Sequence, residues 1–154
     1  MFEVRRATLA DVDSIAEITR DAFEKYIKMA GIENTPALTE TKEDIINDIN
    51  NKIVYVAFIK NEVVGSMRIE LLDKDTAYFS RFGVNTKFQN LGIGKSMMNS
   101  LDMELAELKV KRVMLHTASK ASPLVRFDYN RGFYIDSTTK DKGYIRALMI
   151  KDLA

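Results

Sequence analysis

Residues Ile53-Val54-Tyr55-Val56-Ala57-Phe58-Ile59 form the longest unbroken apolar run in the chain. A run of this length without polar alternation fits a β-strand covered on both faces. It therefore asks for helices on both sides of a sheet, and the flanking sequence offers them. Val12, Ile15, Ala16, Thr19, Ala22, Phe23 and Tyr26 recur at helical spacing. Thr8 reads as the N-cap, and Asp11 three residues on completes a capping-box-like start. The spacing predicts a helix to about Met29, closed by Gly31. Thr41 and Asp44 open a second helix whose apolar face is Ile45, Ile46 and Ile49. Ahead of both, Phe2-Glu3-Val4-Arg5 alternates like a short strand.

After the apolar run the period stays that of a sheet. Lys60-Asn61-Glu62 turns the chain. Val63 to Leu72 alternates, with Val63, Gly65, Met67, Ile69 and Leu71 on one side and Arg68 and Glu70 on the other. Asp73-Lys74-Asp75 turns again, and Ala77 to Val84 is a third strand. A helix then runs from Gly92 to about Lys109 with Ile93, Met97, Leu101, Leu105 and Leu108 down one stripe. Arg112 to Thr117 reads as a strand, Ser122 to Asn130 as a helix, and Phe133 to Ser137 and Tyr144 to Ile150 as a closing strand pair. The order is β-α-α-β-β-β-α-β-α-β-β. A meander followed by a βαβ crossover predicts an α/β fold of the α+β kind, with a mixed, mostly antiparallel sheet.

Composition narrows the chemistry. The chain has 154 residues, with two Pro, seven Gly and no Ser/Gly-rich linker, so one domain over 1–154 is expected. Lys+Arg is 23 and Asp+Glu is 22, for a net charge of +1, which argues against a nucleic-acid partner. Cys is absent, which removes disulfides, Cys-ligated metals and thiol nucleophiles. His116 is the sole histidine, so no metal is expected. The N-terminus lacks a signal-peptide core, and the longest apolar run falls far short of the ~20 residues that span a bilayer. The expectation is a cytoplasmic protein with no membrane partner.

The chemically informative stretch is Phe82-Gly83-Val84-Asn85-Thr86-Lys87-Phe88-Gln89-Asn90-Leu91-Gly92-Ile93-Gly94-Lys95. A strand ends, a short loop follows, and glycines open an amphipathic helix. The first helical turn leaves backbone N–H groups unpartnered and carries partial positive charge. Without Cβ atoms at Gly92 and Gly94, an anion can approach those amides closely. No acidic residue lies between Asp75 and Asp102, while Lys87 and Lys95 flank the loop. These features suit a phosphate-bearing ligand; the competing reading is that both glycines only permit tight helix–strand packing. A Walker loop is excluded because Gln89 stands where its first Gly belongs, and a dinucleotide fingerprint because Met97 stands where its third does.

Gln89-Asn90-Leu91-Gly92-Ile93-Gly94 resembles the Q/R-x-x-G-x-G/A motif of the GNAT superfamily, the Gcn5-related N-acetyltransferases. Val4-Arg5-Arg6-Ala7-Thr8 looks like that family's first strand and helix start, Asn61-Glu62-Val63-Val64-Gly65 like its second hairpin, and Gly132-Phe133 like the G-F closing its last motif. The resemblance implies the GNAT fold, with the sheet splayed between two parallel strands ending near Val84 and Thr117. It implies acetyl-CoA as donor, a co-substrate held at its pyrophosphate by backbone groups of Gln89, Asn90, Leu91, Gly92, Ile93, Gly94 and Lys95. Main-chain groups of Phe82, Gly83 and Val84 would run along the pantetheine arm, with the Val84 N–H at the developing oxyanion. The acceptor would be a primary amine attacking the thioester directly, and a homodimer is compatible with the family. A CoA-binding sensor or interaction module without transfer activity is the alternative.

The catalytic residues are less legible. The family often carries a Tyr four to five residues before its G-F, and its hydroxyl protonates the departing thiolate. Here Asp128 holds the matching position and Tyr129 follows one residue later, ~100° around the helix. Three readings stand: Tyr129 acts after a local bulge, Asp128 acts as acid or holds a water, or the thiolate leaves unaided. Glu70 is the candidate base, through water. Ser122, beside Pro123, is a polar candidate for the coenzyme, with an N-cap role as its competitor. His116 reads as a partly buried structural residue. Tyr26, Tyr55, Tyr134 and Tyr144 are candidates for an acceptor pocket or for packing.

Overall fold

The computed structural model describes residues 2–153. Strands are β1 (Glu3–Arg6), β2 (Ile53–Ile59), β3 (Glu62–Leu71), β4 (Thr76–Val84), β5 (Arg112–Ala118), β6 (Tyr134–Thr139) and β7 (Arg146–Asp152). Helices are α1 (Val12–Ala30), α2 (Pro36–Thr39), α3 (Lys42–Asn51), α4 (Ile93–Glu107) and α5 (Ser122–Asn130). The strands form one sheet in the order β1-β2-β3-β4-β5-β7-β6. Only β4 and β5 are parallel neighbours; every other pair is antiparallel. The element order expected from the sequence is present, with one addition. The short α2 escaped periodicity because four residues make barely one turn.

The sheet is covered on both faces, as the apolar run of β2 requires. On one face Ile93, Met97, Leu101 and Leu105 of α4 pack with Met67, Ile69, Phe79 and Val113. On the other, Val12 and Ile15 of α1 and Ile45 of α3 cover Val54 and Val56. Gly31 ends α1 in the left-handed conformation at φ 69°, which a residue without Cβ adopts freely. Gly83 is needed for contact: a Cβ there would lie 2.8 Å from the Ala22 Cβ of α1.

Alternation puts Arg68 and Glu70 on the side opposite Met67 and Ile69; on that side Arg68 is 1% exposed while Glu70 lies at the surface. α3 and the turn at Glu40 cover the α1 face of β3 at that point. A buried guanidinium needs charged partners. Arg68 Nη2 donates to Glu40 Oε2 at 2.8 Å and Nη1 to Asp48 Oδ2 at 2.8 Å. Period 2 sets which face Arg68 takes, whereas its burial depends on partners 20 and 28 residues away in sequence.

The most consequential feature is where β4 and β5 stop pairing. Their ladder holds only Thr76↔Arg112, Ala77↔Val113 and Tyr78↔Met114. Beyond that point β4 continues to Val84 and β5 to Ala118, each paired only on its outer edge. The divergence begins where the β3–β4 register shifts between Ser66 and Arg68 and Arg81 takes φ 55°. A bulge of this kind bends its strand and raises the local twist. A non-glycine residue in that conformation costs about 1–2 kcal/mol. Arg81 is tied there by its Nε to Glu40 Oε1, at 3.3 Å.

Removing Glu40 therefore exposes the weak point of this arrangement. Glu40→Ala leaves the Arg68 charge buried with half its partners, and urea unfolding should show a loss of about 3–5 kcal/mol. A loss below about 1 kcal/mol, the range of surface pairs, would contradict the role given to this cluster.

Candidate active site

The gap between β4 and β5 opens into a cavity of about 610 Å³, within the ~300–1,000 Å³ of small-molecule sites. Residues of β4, of the β4–α4 loop and of α5 wall it, together with a polar wall to which α1, β4, β5, β7 and the β6–β7 connection contribute.

At the loop, Gly92 caps α4 with φ 82°, and a Cβ built there meets nothing within 4 Å. Its glycine character is thus set by backbone conformation beside open space. Gly94 differs: its Cβ would lie 3.2 Å from Phe82 Cζ, so packing explains that position. Asn90 also adopts a left-handed φ, 67°. The first turn of α4 carries no acidic residue. Lys25 of α1 donates to Gln89 Oε1 at 2.7 Å and fixes the loop from outside.

β4 presents its free edge to the gap, and the ladder shows which atoms point there. Asn85 N donates to Val64 O at 2.7 Å. Hydrogen-bonded and non-hydrogen-bonded pairs alternate in an antiparallel ladder. The next pair, Val84↔Gly65, is therefore of the second kind, and the Val84 N–H and C=O face away from β3 into the gap. Thr117 of β5 lines the cavity with a buried Oγ1 that has no hydrogen-bond partner.

Most residues singled out in the sequence converge here. Phe82, Gly83, Val84, Gln89, Asn90, Gly92, Ile93, Gly94 and Lys95 all line the cavity. Leu91 does not; it is 59% exposed. Ser122 begins α5 outside the cavity wall, where Pro123 stands instead. Asp128 lines the cavity and is buried, whereas Tyr129 is 50% exposed and outside it. α5 is a regular nine-residue helix, so no bulge turns Tyr129 inward. Glu70 lies outside the cavity as well, with Lys52 Nζ at 3.7 Å from its carboxylate; it sits near the far end of β3, where α3 ends.

Burial pushes the Asp128 carboxyl up to about 7, and none of its side-chain oxygens is hydrogen-bonded among the described residues. Asp128 is thus poised to exchange a proton near neutrality. On the polar wall Tyr78 and His116 share a hydrogen bond of 2.7 Å between Oη and Nδ1. Desolvation, then the charge of Arg146, holds His116 below its ordinary value of 6.5, so the imidazole is neutral at pH 7. Tyr26 accepts the Ala118 N–H at 2.7 Å, and burial pushes its hydroxyl up to about 12. Tyr26 and Tyr144 line the cavity; Tyr55 and Tyr134 do not. Alternation alone places Met114 and His116 on the same face of β5. The adjacency of Tyr78 and His116 needed the parallel register that sets Tyr78 beside Met114, two residues before His116.

Among the described residues no group of three or more His, Cys, Asp or Glu side chains is placed to hold a metal ion, and no helix is long and apolar enough to cross a membrane. Among the described residues a mixed seven-stranded sheet is split between its two parallel strands and opens onto a glycine-started helix. Residues 12–133 match the model of the acetyltransferase (GNAT) family, and the chain belongs to that family.

Solved structures agree on the fold. The PaiA N-acetyltransferase of Thermoplasma acidophilum, solved with coenzyme A, is 18% identical and superimposes with a TM-score of 0.87 over 99% of both chains. The smu.2055 protein of Streptococcus mutans is 22% identical, with a TM-score of 0.83 over 99% of both chains. A GNAT family acetyltransferase of Elizabethkingia anophelis, solved with acetyl-CoA bound, is 17% identical, with a TM-score of 0.73 over 99% of this chain and 98% of its own. No curated protein matches the chain in sequence.

The buried Asp128 has a consequence for stability. In the unfolded chain its carboxyl ionises near 3.8, but in the native state it keeps its proton to about 7. Between those values the native state binds more protons than the unfolded one, so this group makes stability fall as pH rises. Asp128→Asn removes the penalty. Thermal or urea unfolding should show the variant gaining on the parent as pH rises from about 4 to about 7 and holding that gain above it, by up to ~4 kcal/mol for a three-unit shift. A pH-independent difference would show that Asp128 is not desolvated.

Proposed function

We propose that the chain transfers the acetyl group of acetyl-CoA to a primary amine by direct attack, with both substrates bound together. The carrying observation is that the strand gap, edged by the outward-facing Val84 main chain, runs up to an open helix start at Gly92. The residues present suit the coenzyme. The unpartnered Thr117 Oγ1 and the free β4 edge are hydrogen-bonding groups waiting for an extended amide-bearing arm. The open amides of α4 are waiting for a diphosphate. That PaiA and the Elizabethkingia protein were solved with coenzyme A and acetyl-CoA supports this reading.

Acetyl-CoA supplies an activated thioester on a chemically inert handle. The amides of Gln89 to Lys95 hold that handle, Leu91 through its backbone alone, since its side chain points outward. The main chain of Phe82, Gly83 and Val84 sets the arm's register, and the Val84 N–H steadies the carbonyl oxygen as it gains charge. An amine attacks only as the free base, so a proton must leave the ammonium. Neutral His116, oriented by Tyr78, accepts it. Asp128 delivers a proton to the sulfur as the C–S bond breaks, which fits its place in the cavity lining and its readiness near pH 7. As the C–N bond forms and the C–S bond breaks, the nitrogen gives its second proton to water; His116 then releases its proton to water and Asp128 takes one back, so one proton is set free per turnover. The dependence on a metabolic thioester supports a cytoplasmic place of work.

The test separates binding from transfer. Asn tolerates the left-handed conformation of residue 92 better than most residues. Gly92→Asn is therefore the backbone control for Gly92→Asp, which sets a carboxylate against the diphosphate. By calorimetry Gly92→Asp should bind CoA at least ~10-fold more weakly than Gly92→Asn, a difference of about 1.4 kcal/mol. Equal affinities would remove the loop as the site. Thiol release with a panel of amines should fall about 10²–10⁴-fold in His116→Gln. In the parent the rate should rise through a pKa below 6.5 and fall above about 7, the second limb vanishing in Asp128→Asn. CoA binding without thiol release would favour the non-enzymatic module.

A further inference from the structure

We infer that the acceptor is a small primary amine that also carries a carboxylate, held at the polar wall by Arg81, Lys142 and Arg146. This rests on the acetyltransferase reading above and names the substrate class of the same cavity. The cavity is lined by five permanent cations, Lys25, Arg81, Lys95, Lys142 and Arg146, and by a single acidic residue, Asp128. Lys25 and Lys95 belong with the Gln89–Lys95 loop. Asp128 stands on α5. The wall built from Tyr26, Tyr78, His116 and Tyr144 therefore contains cations and no carboxylate.

The counter-ions of that wall lie behind it. Glu40, 6% exposed, spends both oxygens on the Arg68 fork. Arg81 reaches it only through Nε, at 3.3 Å, and its two terminal amino groups make no hydrogen bond among the described residues. Arg146 pairs at 3.1 Å with Asp141, whose side chain is 54% exposed and lies outside the cavity wall. Lys142 forms no ion pair among the described residues. A cation wall backed by outward carboxylates attracts an anion and repels a second cation. The two free amino groups of Arg81 match the planar fork of a carboxylate, while Arg146, whose Nε and Nη2 hold Asp141, keeps only Nη1 free among the described residues. The same wall holds His116, so an acid group bound there would bring a neighbouring amine to the base. Phe23, Tyr26 and Met29 offer apolar surface for the rest of such a molecule. The arrangement disfavours polyamines, whose ammonium groups would find no partner on this wall.

Matched acceptors that differ only in the acid group test this. Initial rates of thiol release are compared for phenylalanine and phenethylamine, for methionine and 3-(methylthio)propylamine, and for spermidine. The carboxylated member of each pair should show kcat/KM about tenfold or more above its partner, the worth of one charge-assisted contact. The double variant Lys142→Gln, Arg146→Gln should erase that preference while CoA affinity stays at the parent's value. A readout that needs no turnover is binding of N-acetylphenylalanine against N-acetylphenethylamine to the CoA-loaded protein by calorimetry, where the acid should bind more tightly. Equal rates and equal binding within pairs, or a preference for spermidine, would overturn the inference and leave the acetyltransferase reading standing. Failure of CoA itself to bind would instead strike that earlier reading.

Discussion

β4 and β5 exchange parallel ladder contacts over three residue pairs and then part, and the cavity of about 610 Å³ lies where they do. A sheet normally satisfies its backbone groups strand against strand. Leaving an interior edge open is costly unless something else fills it. The gap is therefore both a strain in the fold and the reason for a site. Its cause is local: the register shift in β3–β4 and the left-handed Arg81 bend β4 away from its neighbour.

Holding that bend requires support, and the support is electrostatic. Glu40 reaches Arg68 under α3 and Arg81 at the bulge, linking a buried residue of β3 to the wall of the cavity. The cluster takes carboxylates away from the cavity and leaves cations facing it. Asp141 does the same from the β6–β7 connection. One arrangement thus serves two ends, fixing backbone geometry and setting the sign of the field that a substrate meets.

Two groups with shifted titration line the cavity, one on α5 and one on β5. Asp128 is raised because burial strips its carboxylate of water, and His116 is lowered because burial and Arg146 disfavour its cation. The same desolvation moves an acid and a base toward each other in pKa. That convergence suits a reaction which must remove one proton and supply another near neutral pH. Asp128, at the position where the sequence resemblance leads one to look for a tyrosine, is a carboxyl that burial pushes up to about 7.

Much of this was legible before any coordinates. The unbroken run Ile53–Ile59 demanded a doubly covered strand, and the glycine-started helix after Val84 pointed to an anion cradle, because both are properties of neighbouring residues. Asp128 and Tyr129 were distinguishable in principle by helical rotation, though only a regular α5 settled which faces inward. Arg68 and His116 were not legible. Their roles depend on partners 20 and 28 residues away for Arg68 and 38 for His116, contacts that no local period encodes. Sequence alone determined the order of elements and the loop chemistry, since spacing and backbone freedom are local physics. Tertiary structure decided which charges are buried, which edge stays open and which side chains share the cavity, since those follow from register and packing between distant segments.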